Sequence, residues 1–312
     1  AGYESGRVQK FDSSGDLLTE WGSWGSAEGE FMIPSGIVVH PGGNVYVADT
    51  GNHRIQKFDS CGTFLGKWGT EGSGDGQFRS PAGIAADSVG NIYVADTYNH
   101  RIQKFDSSGR SLCKWGSCGS REGQLRLPEA IAVEPGGSVF VADTANRRVQ
   151  GFDSSGAFLW RWGACGSGDG EFSSPGDVAL DPSGSLFVCD TENHRIQKFD
   201  SSGQFLRKWG SEGPGDGQFN RPEGIAVDSW GNVYVADSWN HRIQKFDSSG
   251  EFLAEWGSEG SGDGEFNSPD DVAVDTWGNV LVADTENHRV QKFDRSGRFI
   301  AKWGSFGDGD GE

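Results

Sequence analysis

The segment Arg-Ile/Val-Gln-Lys/Gly-Phe-Asp occurs seven times, and its spacing never varies. Its arginines are Arg7, Arg54, Arg101, Arg148, Arg195, Arg242 and Arg289, so each step is 47 residues (54 − 7 = 47). A strict period over the whole chain means one supersecondary unit, duplicated and stacked, because each copy buries its apolar face only against the next. The period also sorts the residues. What every copy shares reads as structural, and what breaks the pattern is where function is to be sought.

Residues 81–127 show the unit. Pro81-Ala82-Gly83 opens it, and Gly83-Ile84-Ala85-Ala86-Asp87 is a short apolar run before the turn signal Ser88-Val89-Gly90-Asn91. Ile92-Tyr93-Val94-Ala95-Asp96 is β-branched and aromatic, as in a strand buried on both faces. Thr97-Tyr98-Asn99-His100 reads as a loop. Arg101–Phe105 and Ser111–Trp115 alternate polar with apolar, the mark of half-exposed strands, around the turn Asp106-Ser107-Ser108-Gly109. A glycine-rich linker, Gly116 to Arg126, leads to the next proline. The gradient from apolar to half-polar strands predicts an all-β chain of four-stranded antiparallel sheets set radially, a β-propeller, in preference to an open solenoid.

The first strand occurs six times, beginning near Gly36, Gly83, Ala130, Gly176, Gly224 and Asp271, so six blades in a closed ring are expected. The repeats are 34–80, 81–127, 128–174, 175–221, 222–268 and 269–312, read as one domain spanning 1–312. The outer strands occur seven times, because residues 1–22 carry an orphan pair, Arg7–Phe11 and Leu17–Trp21. One outer-strand hairpin is therefore surplus at one terminus. Alone it is marginal and needs an edge to pair with, on this chain or a neighbouring molecule. Ala1 is not Met, and Gly307–Glu312 ends just before another proline would fall, so the sequence leaves open whether the array continues.

Lys+Arg total 27 against 45 Asp+Glu, a net charge of −18. Such a surface repels phosphate backbones and anionic lipid, which argues against nucleic acid and membrane as partners and favours cationic ones. Cys61, Cys113, Cys118, Cys165 and Cys189 are odd in number and match no zinc spacing, so five free thiols are expected. Cys189 stands where other copies have Ala and reads as a small buried hydrophobe.

The segment Gly-Asn-Val-Tyr-Val-Ala-Asp-Ser-Trp-Asn-His-Arg-Ile-Gln-Lys-Phe-Asp at 231–247 resembles the NHL-repeat family, and the likeness runs along the whole chain. Asn-His-Arg recurs from Asn52, Asn99, Asn193, Asn240 and Asn287, with Asn146-Arg147-Arg148 as the departure. The linkers at 72–78, 166–172 and 260–266 are similar to the same family. The resemblance implies a propeller. For function it implies a range, since related propellers serve as RNA-binding, protein-interaction and sensor domains and as a few lyases.

Four sets of residues are candidates. Asp49, Asp96, Asp143, Asp190, Asp237 and Asp284 each lie five residues before Arg54, Arg101, Arg148, Arg195, Arg242 and Arg289. Repeated six times, they read as structural ion pairs and not as active sites. His53, His100, His194, His241 and His288 share one phase and lie too far apart to hold one ion, whereas His40 replaces the carboxylates Asp87, Glu134, Asp181, Asp228 and Asp275 and is a weak metal candidate. Glu28, Asp75, Glu122, Asp169, Asp216 and Asp263 form an acidic loop position, with Glu71, Glu212 and Glu259 nearby. It suits turns and an acidic docking face, and no cofactor is expected there: calcium is the one it would admit, but the loops lack dense oxygen ligands. Trp21, Trp68, Trp115, Trp162, Trp209, Trp256 and Trp303 end the fourth strands and read as packing, while Trp24, Trp160, Trp230, Trp239 and Trp277 break the period.

No nucleophile elbow, phosphate loop or paired-cysteine motif appears. The expected function is a non-catalytic scaffold presenting one face to a protein or peptide, with Tyr98, Trp239, Asp75, Asp169, Asp216 and Asp263 as the binding residues. The alternatives are self-association through the surplus hairpin, and a metal-dependent lyase or hydrolase with its site in a central channel.

Overall fold

The computed structural model describes residues 6–12 and 17–304; the turn of the orphan pair and the stretch after Gly304 lie outside the described residues. Six sheets of four antiparallel strands follow one another as the blades of a β-propeller. Blades 1 to 6 span residues 34–68, 81–115, 128–162, 175–209, 222–256 and 269–303. The chain divides into two compact units, one holding blades 1 to 3 up to Arg161 and the other running from Trp162 through blades 4 to 6.

Within blade 2 the strands are Pro81–Ala86, Ile92–Asp96, Arg101–Phe105 and Ser111–Trp115. Every residue of the second strand is buried, as its unbroken apolar run requires. The fourth strand alternates partly buried and exposed positions, with Leu112 and Lys114 outward. First strands start at the proline, two residues earlier than most of the sequence starts, because Pro81 already pairs with Asp96. Between Pro81 and Ile84 the first strand advances three residues while its partner advances two, from Asp96 to Val94. That extra residue is a bulge, and it recurs in all six blades. The expected loop at 97–99 is a 3-10 turn closed by His100 in the left-handed conformation (φ 55°).

Blades pack through the periodic tryptophans. Trp68 meets Phe105 of the next blade with ring centroids 5.6 Å apart, and Trp209 meets Phe246 at 5.7 Å. The Trp68 ring lies under Gly109, where a Cβ would stand 2.6 Å from it, so the Asp-Ser-Ser-Gly turn needs its glycine for contact as well as for φ +87°. Cys189 is fully buried in the core shared by blades 4 and 5, and no disulfide joins the described cysteines.

The orphan pair, Arg7–Phe11 and Leu17–Gly22, forms a two-stranded sheet. Its Val8 and Trp21 pack on Phe31, Val45, Val47 and Phe58 at blade 1. Trp21 meets Phe58 at 5.6 Å, just as each later Trp meets the phenylalanine one blade on. The hairpin thus finds its apolar partner on its own chain.

Candidate functional site

The repeated Asp and Arg are joined by chemistry more extensive than a simple pair. In blade 2, Arg101 Nε donates to Asp96 Oδ2 at 2.7 Å, and its Nη atoms donate to the carbonyls of Ser73, Gly74 and Gln77. Asn99 and Gln103 also donate to the Asp96 carboxylate, which accepts the Arg79 N–H at 2.7 Å as well. Asp96 is fully buried. The cluster therefore clips the linker between blades onto the strands that follow it. Asp49–Arg54, Asp143–Arg148, Asp190–Arg195, Asp237–Arg242 and Asp284–Arg289 have the same geometry at 2.6–2.8 Å.

The in-phase histidines reach across to the next blade. His53 Nδ1 accepts the Ser80 N–H, His100 that of Leu127, His194 that of Arg221 and His241 that of Ser268, at 3.0–3.2 Å. Each donor residue has positive φ and precedes a blade's first proline. His40 closes a turn in place of aspartate: its Nδ1 accepts the Gly42 N–H at 2.7 Å. Its Nε2 is buried against Gly90 of the next blade, without a partner among the described residues. Among the described residues no group of three or more His, Cys, Asp or Glu is arranged to hold a metal ion.

Five of the six acidic loop residues pair with a cation on the fourth strand of the blade that follows them. Lys114 bonds Asp75, Lys208 bonds Asp169 at 2.7 Å and Lys302 bonds Asp263 at 2.6 Å, while Lys67 lies 3.6 Å from Glu28 and Arg161 3.9 Å from Glu122. Asp216 lacks this arrangement, because the position of the lysine is Glu255, which bonds Arg242. The carboxylates gathered around Trp239 are different ones.

Trp239 sits in the 3-10 turn Ser238–Asn240 of blade 5, with 56% of its surface exposed. Its N–H donates to the Asn220 carbonyl at 3.1 Å, and the Asn220 N–H donates to Asp237. This pins the end of the linker beneath the turn. Arg221, held at φ 53°, then places its guanidinium 4.9 Å from the centre of the Trp239 ring. The same guanidinium bonds Glu192 and lies 3.7 Å from Glu223. An open hollow of about 310 Å³ follows, lined by Trp239, His241 and Ser268.

The bulges bring in carboxylates that the repeat pattern did not flag. The residues at the bulge are Ser35-Gly36, Ala82-Gly83, Glu129-Ala130, Gly176-Asp177 and Glu223-Gly224, and in blade 6 Asp270, with Asp271 next to it paired to Ala283. Neighbouring first strands approach closely here: a Cβ on Gly224 would stand 2.6 Å from the Asp271 backbone. Asp177 Oδ2 accepts the Ile225 N–H at 3.0 Å, linking blades 4 and 5. Burial first, and then the charge of Asp271, push the Asp177 carboxyl up to about 7. Asp271 is shifted upward by desolvation and by the neighbouring charge of Asp270. Desolvation also raises Glu223 and Asp270. The face of blades 4 to 6 thus joins an exposed indole to a row of carboxylates, with Arg221 already engaged by Glu192 and Trp239. A cationic group is what this arrangement attracts. The signal was present in the sequence, since acids stand at positions that are otherwise Gly, Ala or Ser.

In the other unit, Tyr98 occupies the equivalent turn of blade 2 with 60% exposure, its N–H donating to Arg79. Beside the next first strand, Glu129 is raised by burial.

The NHL repeat model matches residues 31–58, 78–105, 172–199, 219–246 and 266–293. The chain is an NHL-repeat protein. The copy without a match is in blade 3, where Arg147 replaces the histidine. No curated protein matches the sequence at a significant level. Among solved structures, a functionally unknown protein from Desulfotomaculum acetoxidans is similar, with TM-score 0.73 and 14% identity over 97% of this chain and 93% of that one. Virginiamycin B lyase from Staphylococcus aureus gives TM-score 0.69 at 13% identity, over 88% of this chain and 84% of that one. A streptogramin B lyase gives 0.69 at 13% identity, over 95% and 86%. At such identities the likeness shows the fold alone.

Proposed function

We propose that this NHL-repeat protein is a non-catalytic binding scaffold whose 3-10-turn face takes a cationic segment of a protein or peptide. The observation that carries the reading is Trp239. It stands at a position that varies between copies, stays exposed, and carries Arg221 over its ring, the same guanidinium that bonds Glu192 and lies near Glu223. An exposed tryptophan on a rigid turn is a typical anchor for a partner. A lysine or arginine of the partner would exchange with Arg221 over the ring and meet the carboxylates of the first strands. The periodic pairs supply rigidity, so binding would require little reordering.

The test is titration of the protein with lysine- and arginine-containing peptides and with their glutamate-substituted versions. Trp239→Ala is expected to weaken the cationic peptides at least about tenfold, equivalent to about 1.4 kcal/mol, with Tyr98→Ala as the parallel variant. Equal affinity for acidic and basic peptides, or full affinity in Trp239→Ala, refutes the reading.

A second reading, a lyase or hydrolase, rests on Asp177, whose carboxylate accepts the Ile225 N–H at 3.0 Å and whose carboxyl is raised by burial and then by the charge of Asp271. A carboxyl that keeps its proton toward neutral pH could serve as a general acid. Loss of a measured turnover in Asp177→Asn with unchanged peptide binding would favour that reading over the scaffold.

A further inference from the structure

We propose that the opposite end of blades 4 and 5 binds a neutral saccharide against Trp230. The turn at 228–232 joins the first and second strands of blade 5, whereas Trp239 lies in the turn between the second and third. The two sites are therefore at opposite ends of the sheet, and this inference stands independently of the peptide reading.

The position of Trp230 is Gly42, Val89, Gly136 and Ser183 in blades 1 to 4 and Trp277 in blade 6. Trp230 keeps 59% of its surface exposed. Its turn is rigid: Asp228 accepts the N–H groups of Trp230 and Asn232, the Asn232 side-chain amide and the Tyr234 hydroxyl. A fixed flat ring is thus presented to solvent at small entropic cost. Beside it runs a groove of about 230 Å³ lined by Asp181, Pro182, Ser183, Ser229, Gly231 and Ser248.

The lining is polar but carries no free charge. Asp181 Oδ2 lies 3.5 Å from Lys198 Nζ, and that amine donates to the Ser248 carbonyl at 2.9 Å. Ser229 and Ser248 are exposed, so their hydroxyls face solvent along the groove. An ionic ligand meets no countercharge here, and an apolar side chain would desolvate the hydroxyls without replacing their bonds. A sugar ring fits both demands, with its C–H face on the indole and its hydroxyls on the serines. The groove is small by the standard of ligand sites and suits one ring.

The next interval shows what closes such a groove. There Trp230 takes the place of Ser183 and leans over Gly278, with ring carbon Cζ3 2.9 Å from where a Cβ would be. Arg295 takes the place of Ser248. Trp277 is 72% exposed, and on its blade-5 side it faces Trp230 and Arg295 in place of the two serines.

The experiment is saturation-transfer NMR and tryptophan emission on the full chain with glucose, galactose, mannose, N-acetylglucosamine, cellobiose and chitobiose, each up to about 50 mM. At least one is expected to bind with a dissociation constant on the order of millimolar, and Trp230→Ala to weaken it at least about tenfold. Ser248→Arg, which copies the residue of blade 6, should block binding while leaving Trp230 in place, and serves if the tryptophan variant does not fold. Trp239→Ala should leave sugar binding unchanged. Absence of binding across the panel, or binding retained in Ser248→Arg or in folded Trp230→Ala, overturns the proposal.

Discussion

Truncating one aspartate of the repeated clip gives the sharpest energetic prediction. Asp96 is fully buried and accepts hydrogen bonds from the Arg79 N–H, Asn99, Arg101 and Gln103 at 2.7–3.0 Å. Asp96→Ala leaves the Arg101 guanidinium buried without its counter-ion and the Arg79 N–H without an acceptor. Breaking a buried ion pair by removing one partner costs about 3–5 kcal/mol. The three linker carbonyls that still accept from Arg101 place the expected loss toward the lower end, about 3 kcal/mol. Glu251→Ala, which removes the exposed pair with Arg207, should cost less than about 1 kcal/mol. Urea unfolding followed by both circular dichroism and tryptophan emission measures the difference, with coincident curves required before free energies are compared. If Asp96→Ala costs no more than Glu251→Ala, the pairs are not what holds the linkers, and the division between structural and functional residues fails with them.

Other outcomes follow from the same contacts. Because Asp177 is raised to about 7, the folded state holds a proton that the unfolded chain releases near its ordinary value of 3.8, so this group's stabilisation is full below that value and fades as pH rises through about 7. Thermal melts should therefore show stability falling from pH 5 to pH 8 by more in the parent than in Asp177→Asn, and equal slopes would refute the assignment. Asp106, Asp153, Asp200 and Asp294 are lowered by hydrogen bonds from Ser108, Ser155, Ser202 and Ser296, so their contribution is present above 3.8 and lost at more acidic pH, and these groups together should make the melts peak near 3.8 and fall on both sides. His40→Asp restores the acceptor that Asp87 offers to Asn91 and Tyr93 and should stabilise by about 1 kcal/mol; a lower melting temperature would show that the imidazole packing against Gly90 matters more.

The fold was legible because the signal was repeated. One period, six inner runs and the turn signals defined the blades, and the fixed spacing from Asp96 to Arg101 put them opposite each other on adjacent strands. The site was less legible for identifiable reasons. Side-chain alternation cannot foretell a bulge, so Asp177 looked like an ordinary strand residue, whereas it falls in the stretch where the ladder slips between Pro175 and Val178. Arg221 reaches Trp239 only because it adopts positive φ at a linker end, which its residue type does not favour. The rim carboxylate Asp75 meets Lys114 across 39 residues of sequence, a pairing that follows from the sheet and not from local pattern.

Hydrogen–deuterium exchange with and without a bound cationic peptide tests the central claim most directly. Slowed exchange is predicted at residues 219–225 and 238–241, where the Arg221 linker end, the bulge at Glu223 and the Trp239 turn converge. Protection confined to the rim linkers around Asp75, Asp169 and Asp263, with the Trp239 turn exchanging as before, would contradict it.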